Sequence, residues 1–157
     1  MELGYFLSSE EHGPNELVRN ARAAEEAGFE FATISDHFHP WVDAQGESPF
    51  VWTVIGGIAQ ATERIRLGTA VTCPTIRIHP AIVAQAAATS AALMPGRFFL
   101  GVGTGENLNE HVLGDRWPSA RIWSHAAPRV GSTNCGRKAR KKSAVFGFRT
   151  LTTIPWR

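Results

Sequence analysis

The 157-residue sequence has few cysteines and no long apolar run, and each absence excludes a class of protein. Its two cysteines, Cys73 and Cys135, are isolated and lack metal-ligand spacing. We therefore expect neither a disulfide scaffold nor a metal site, and a reducing cytoplasm is the expected location. No run reaches the roughly 18 apolar residues that a membrane span needs. No basic segment opens the chain, so no signal peptide is expected.

Lysine is absent from residues 1–118, and acidic residues are absent from residues 119–157. The first region holds all fourteen Asp and Glu with seven Arg, whereas the second holds nine Lys and Arg. One natural domain rarely divides its charges in this way. We therefore predict two regions, an ordered one over 1–118 and a basic tail over 119–157 that is frameshifted or disordered.

The basic tail allows a hypothesis from another functional class. Its segment "GRKARKK" (136–142) has the charge of a nucleic-acid-binding arm, because clustered cations release counterions from phosphates. No aromatic residues are interleaved with these cations, so a solvated tail is the simpler interpretation and no nucleic-acid partner is expected.

Residues 1–118 alternate between short apolar segments and amphipathic ones, which predicts an α/β fold. Strands are predicted at 3–8, 29–35, 65–72 and 97–103, and helices at 13–29, 50–63 and 79–94. The strands do not alternate in polarity, which is typical of parallel strands covered by helices. A doubly wound sheet and a (β/α)8 barrel both begin in this way. Since a complete barrel takes about 250 residues, at most its first four βα units are present.

Chemistry in parallel α/β folds collects at the carboxyl ends of the strands. The residues predicted there include acids, an imidazole, an indole and a thiol: Ser8, Glu10, Asp36, His37, Trp41, Thr72, Cys73, Thr104, Glu106 and Asn109. The sequence thus predicts that a carboxylate, an imidazole, an indole and a second carboxylate converge on one rim.

These candidates also have purely structural interpretations. Asp36 would cap the turn after its strand, and His37 would be an ordinary loop histidine. Trp41 would cover a loop, and Glu106 would start a helix. Cys73 would be a small buried hydrophobe.

The segment "GVGTGENLNEH" (101–111) has glycine at three alternating positions, so its backbone must turn tightly or approach another group closely. It is not a dinucleotide fingerprint, because Glu106 stands where the third glycine of that motif belongs. The rim of an active site remains as an interpretation.

Three segments together resemble a known family: "SDHFHPW" (35–41), "LGTAVTCPTIRIHPAIVAQA" (67–86) and "MPGRFFLGVGTGENLNEHVLG" (94–114). They are similar to the luciferase-like flavin and deazaflavin oxidoreductases, and to the coenzyme F420-dependent glucose-6-phosphate dehydrogenase group among them. The resemblance extends over residues 3–118. It implies the first half of a (β/α)8 TIM barrel from a homodimeric parent family.

The resemblance also implies a coenzyme F420 site, with FMN as the alternative cofactor. Asp36 would contact the ring system, and Thr104, Gly105 and Asn109 the ring or ribityl chain. A cis peptide bond between Ala70 and Val71 would press against the ring. Cys73 occupies the position of a cofactor-contacting threonine in this group.

The implied reaction is hydride transfer between an alcohol or sugar phosphate, a small-molecule substrate, and the deazaflavin. His37 and Glu106 would form the proton-transfer pair, with the base unassigned, and Trp41 would wall the pocket. An FMN-dependent monooxygenase is the alternative within the fold. Because the resemblance stops near residue 118, the opposite rim is absent, and the chain is expected to be an inactive amino-terminal fragment.

Overall fold

Four apolar segments pair side by side into a parallel sheet. In the computed structural model, which describes residues 1–74 and 76–114, its strands are β1 (Gly4–Leu7), β2 (Phe31–Ile34), β3 (Arg66–Thr69) and β4 (Phe98–Phe99). They are neighbours in chain order, and every pairing is parallel. The predicted α/β class and parallel sheet are confirmed.

Three helices connect the strands: α1 (Pro14–Glu26), α2 (Val51–Ala61) and α3 (Pro80–Leu93). Helix α1 begins at Pro14, whose missing N–H costs nothing in the first turn. It ends just before Gly28, which has φ of 89°. After β4 come a single turn, α4 (Asn107–Glu110), and a 3₁₀ turn (His111–Leu113). The three predicted helices are confirmed, with ends shifted by one to three residues.

The hydrophobic core lies between the helices and one face of the sheet. Leu7, Ile34 and Leu67 point from the strands into this layer and are fully buried. Leu17 of α1 and Ile55 of α2 meet them there, also fully buried. The predicted apolar face of α1 is therefore the face that packs on the sheet.

The opposite face of the sheet is rich in aromatic side chains and partly exposed to solvent. Phe6 is 55% exposed on this face. The Phe31 ring lies where a side chain at Gly4 would stand, and the Phe99 ring does the same at Gly68. We call this face, with Phe6, Phe31 and Phe99, the aromatic face.

The ladders are shorter than predicted. The predicted strand at 97–103 pairs regularly only at Phe98–Phe99, and contact with the preceding segment resumes at an isolated bridge between Thr72 and Val102. The Thr69 hydroxyl donates to the Gly101 carbonyl (2.8 Å), which also accepts the Thr72 backbone N–H (2.9 Å). A side-chain hydrogen bond of this kind is not visible in apolar periodicity.

The predictions for the basic tail, including Cys135 and the 136–142 cluster, lie outside the described residues. Within residues 1–74 and 76–114, no helix has the length and apolar character needed to cross a bilayer.

Candidate active site at the carboxyl ends of the strands

A cavity of about 200 Å³ opens where the strands end. It is lined by Asp36, His37, Val71, Cys73, Gly103, Thr104, Gly105, Glu106, Asn109 and Glu110. Six of the residues predicted at one rim line this cavity: Asp36, His37, Cys73, Thr104, Glu106 and Asn109.

His37 is held by a buried carboxylate from the neighbouring strand end. Its Nδ1–H donates to Glu10 Oε1 at 2.5 Å, and Glu10 is only 3% exposed. The hydroxyls of Ser35 and Ser8 donate to Glu10 Oε2, at 2.7 and 3.1 Å. These bonds fix both the carboxylate and the orientation of the imidazole.

The two groups shift each other's proton affinity. Burial alone would raise the pKa of Glu10, but the hydrogen bonds from His37 and Ser35 outweigh it and lower the pKa to about 2. Burial alone would lower the pKa of His37, but the hydrogen bond and charge of Glu10, with the charges of Glu106 and Asp36, raise it above its ordinary value. The neighbouring carboxylates therefore stabilise the imidazolium that forms when His37 takes up a proton.

The second nitrogen of His37 faces the cavity. Its Nε2 lies 3.8 Å from Glu106 Oε1, and both side chains are partly exposed. The Trp41 ring meets the imidazole edge to face, with centroids 5.1 Å apart. Trp41 is half-exposed and lies beside the cavity rather than in its lining. One histidine thus contacts two acids and an indole.

Asn109 joins the loops after β2 and β4. Its Oδ1 accepts from the backbone N–H groups of Phe38 and His39, both at 2.7 Å. Its Nδ2 donates to Glu106 Oε1 in a short hydrogen bond. The side chain is buried, so its polar atoms are directed to the protein.

A buried ion cluster forms the base of the site. Arg77 Nη2 donates to Asp36 Oδ1 (2.8 Å), and Thr72 Oγ1 donates to Asp36 Oδ2 (2.7 Å). Glu110 Oε2 accepts the Arg77 backbone N–H (2.9 Å), and its Oε1 lies 3.7 Å from Arg77 Nε. Both oxygens of Asp36 therefore have protein donors, although Asp36 still lines the cavity.

The glycine segment forms one wall against the loop after β3. The Ala70–Val71 peptide bond is cis, as the resemblance implies. A Cβ at Gly103 would overlap the Val71 side chain. Gly105 has φ of +74°, and a Cβ there would lie 2.6 Å from Cys73 Sγ. The alternating glycines thus permit close approach of the loops after β3 and β4.

Of the predicted site residues, Ala70 and Trp41 are outside the cavity lining, and Cys73 is buried in it. Sequence reasoning missed Arg77 and Glu110. One signal was present for Arg77, because it is the only Asp, Glu, Lys or Arg between residues 67 and 96. A lone charge in an apolar segment requires a buried partner.

The arrangement suits proton transfer beside a wall formed by Val71 and the backbone of residues 103–105. No group of three or more metal-ligating side chains occurs within the part of the chain that the structure describes. The Nδ1 proton of His37 is held by Glu10, so Nε2 is the position that can accept or release a proton toward the cavity.

Residues 1–125 match the family model described as luciferase-like monooxygenase. The chain is 51% identical to the F420-dependent glucose-6-phosphate dehydrogenase of Nocardia farcinica over 120 residues, which are 75% of this chain and 36% of that protein. The enzyme of the same name from Mycobacterium avium is 52% identical over the same shares. The chain thus spans about a third of the length of these curated relatives.

Solved structures show the same likeness. One is the structure of an F420-dependent secondary alcohol dehydrogenase in complex with an F420-acetone adduct. It matches with a TM-score of 0.76 and 40% sequence identity, and the match covers 80% of this chain and 38% of the dehydrogenase chain. The coenzyme F420-dependent tetrahydromethanopterin reductase from Methanopyrus kandleri has a TM-score of 0.61 and 28% identity, covering 74% and 30%.

Proposed function

The chain belongs to the luciferase-like monooxygenase family, and from this premise we propose that it is the amino-terminal part of a coenzyme F420-dependent oxidoreductase. Its substrate class is small alcohols or sugar phosphates. The proposal is supported by relatives of about 50% identity and by the F420-dependent alcohol dehydrogenase structure. The observation that carries it is the Glu10–His37–Glu106 arrangement at the mouth of the cavity.

The residues present fit a flat heteroaromatic cofactor. Val71 and the backbone of residues 103–105 offer an apolar wall without bulky side chains, and His37 and Glu106 supply polar groups beside it. When bound, the deazaflavin supplies a carbon that accepts or donates hydride. Val71, Thr104 and Gly105 would hold its ring. Asp36 and Asn109 would act mainly through the loops that they anchor, because their polar atoms already have protein partners.

His37 is the proposed base for the alcohol proton. Glu10 holds the proton on Nδ1, so the neutral imidazole presents its Nε2 lone pair toward the cavity. When Nε2 takes the proton, Glu10 and Glu106 stabilise the resulting imidazolium. Glu106 is partly exposed and can pass the proton to solvent. Trp41 limits the positions that the ring can adopt.

The aromatic face supports the proposal that the sheet is half of a (β/α)8 barrel. In such a barrel one face of every strand packs on helices and the other fills the interior. Phe6, Phe31 and Phe99 occupy the interior positions, and Phe6 remains 55% exposed in this chain. The residues of the opposite rim would come from the second half, so we expect cofactor binding by this chain without turnover.

A titration of the 157-residue chain with coenzyme F420, followed by cofactor fluorescence, tests the assignment. We expect a saturable change with F420 and a weaker one with FMN. Thr104→Trp should abolish the change, because Thr104 lines the cavity and an indole would fill it. Leu113→Trp is the matched control, since Leu113 is 61% exposed and outside the lining.

Tighter binding of FMN would favour the monooxygenase alternative and overturn the F420 assignment. Absence of a saturable change with either cofactor would overturn the assignment of this cavity. Loss of binding in both tryptophan variants would likewise contradict the proposed location.

Two further properties are proposed from the resemblance, a homodimeric assembly and a cytoplasmic location. Sedimentation equilibrium tests the first, and fractionation of the native cell tests the second. A monomer at micromolar concentration would contradict the first, and recovery outside the cytoplasm would contradict the second.

A further inference from the structure

Asn109 lies where the loop carrying His37 meets the loop carrying Glu106. We infer that Asn109 is a positioning residue whose carboxamide holds the Glu106 carboxylate against the His37 imidazole. The inference rests on the proposed role of His37 as proton acceptor. It concerns the protein alone, so it can be tested without any cofactor.

The hydrogen bonds of Asn109 connect two loops of the protein. Its Oδ1 accepts two consecutive backbone N–H groups, from Phe38 and His39, and so uses both lone pairs. Its Nδ2 donates to Glu106 Oε1. The side chain is 1% exposed. With these bonds and this burial, the carboxamide links the backbone after His37 to the Glu106 carboxylate.

The same Glu106 oxygen faces His37. Glu106 Oε1 accepts from Asn109 and lies 3.8 Å from His37 Nε2. The His37 loop is also anchored at a second point, because Ser48 Oγ donates to the His37 carbonyl at 2.7 Å. Asn109 thus sets the distance between the two proton-handling groups. It holds the backbone after His37 with its carbonyl oxygen and the Glu106 carboxylate with its nitrogen.

An Asn109→Asp substitution separates the two contacts of this side chain, acceptance from the loop after His37 and donation to Glu106. Aspartate still accepts the two N–H groups, so the loop is retained, but it cannot donate to Glu106 and repels it. Asn107→Asp is the matched control, because Asn107 is an exposed residue of the same short helix and receives the same charge.

The test compares how much Glu106→Gln shifts the pKa of His37 in each of three backgrounds. NMR of the imidazole in the ligand-free chain gives each pKa. The charged groups that face His37 are Glu10, Glu106 and Asp36, and each raises its pKa. In the wild-type and Asn107→Asp backgrounds, Glu106→Gln should lower that pKa by roughly 0.5–1 pH unit. In the Asn109→Asp background the shift should fall to less than about half of this. Taking the difference within each background cancels the direct effect of the carboxylate introduced at position 109.

An undiminished shift in Asn109→Asp, with the Phe38 and His39 amides still protected from exchange, would overturn the inference. A second measurement needs no change at Asn109 and holds if that variant does not fold. The side-chain amide resonances of Asn109 should move when Glu106 is replaced by Gln, and unchanged resonances would also overturn it. Failure of either test leaves cofactor binding untouched, so it is distinguishable from failure of the proposed function.

Discussion

At the scale of single residues, the site depends on a histidine whose protonation is set by buried carboxylates. Glu10 and His37 form a hydrogen bond of 2.5 Å at the junction of two strand ends. Its short distance and the burial of Glu10 make it a strong, charge-assisted hydrogen bond. We therefore expect substitutions at this pair to change the pKa of His37 more than they change the stability of the fold.

Glu10→Gln should lower the pKa of His37 by about one pH unit, because the carboxamide keeps an acceptor oxygen but loses the charge. The native pKa is raised, so the stability that the charged His37 contributes is fully present below the unfolded value of 6.5 and is lost as pH rises through the folded pKa. NMR titration of the imidazole gives the pKa. Glu11→Gln, at the exposed neighbouring glutamate, should leave it unchanged.

Gly105→Ala should destabilise the chain by about 1–3 kcal/mol. The backbone has φ of +74°, and the new Cβ would lie 2.6 Å from Cys73 Sγ and 2.8 Å from Glu110 Cγ. Gly114→Ala is the control, since φ is +82° there but no atom lies within 4 Å, and it should cost only about 1 kcal/mol. Urea unfolding compares the two, and equal losses would contradict the steric part of this argument.

At the scale of elements, a glutamate near the end of α1 binds the segment that precedes β3. Glu25 accepts the backbone N–H groups of Glu63, Arg64 and Ile65, at 2.6–3.1 Å. Burial alone would raise its pKa, but these hydrogen bonds outweigh burial and lower it. One carboxylate therefore fixes the end of α1 to the start of β3, at the edge of the sheet opposite the candidate site.

Glu25→Ala should lower the free energy of unfolding by about 1–2 kcal/mol, because three backbone N–H groups lose a charged acceptor. The difference between the variant and the wild type should shrink as pH falls below the ordinary glutamate pKa of 4.5. The lowered pKa of Glu25 stabilises the wild-type fold above that pH, and this stabilisation is lost as the carboxylate becomes protonated. Glu26→Ala removes only an exposed pair with Arg22 and should cost at most about 0.5 kcal/mol. Urea unfolding at pH 7 and pH 3 checks both, and equal losses at pH 7 would refute the role of Glu25.

At the scale of the whole molecule, the described part has one packed layer and one open aromatic face. Leu7 and Phe6 are adjacent on β1 but point to opposite sides, and their exposed fractions are 0% and 55%. Truncating a side chain of the packed layer should therefore cost more free energy of unfolding than truncating one of the aromatic face, because the cost depends on the buried apolar area.

Leu7→Ala should cost about 2–5 kcal/mol, whereas Phe6→Ala should cost less than about 1 kcal/mol in this chain. Chemical unfolding monitored by circular dichroism gives both values. A large loss for Phe6→Ala would show that the aromatic face is covered in solution, which would contradict the open face described above.

Much of the fold was predictable because its signals are local. Pro14 and Gly28 mark the ends of α1, and Leu17, Ala21 and Ala24 fall on its buried face. The strand ends were predictable to within a few residues, except in β4, whose regular pairing covers only Phe98–Phe99. The grouping of Asp36, His37 and Glu106 followed from a parallel sheet alone, because its strands end at one edge.

The sequence by itself determined the parallel α/β order, the helices and the set of residues at one rim, because periodicity and turn chemistry act over a few neighbouring residues. Only the tertiary structure decided how those residues are connected. The partners of His37 and Asn109 are separated from them by 27 and by 70–71 positions. The ion cluster of Arg77 also joins distant loops. Such contacts depend on strand register and loop conformation, which no local pattern encodes.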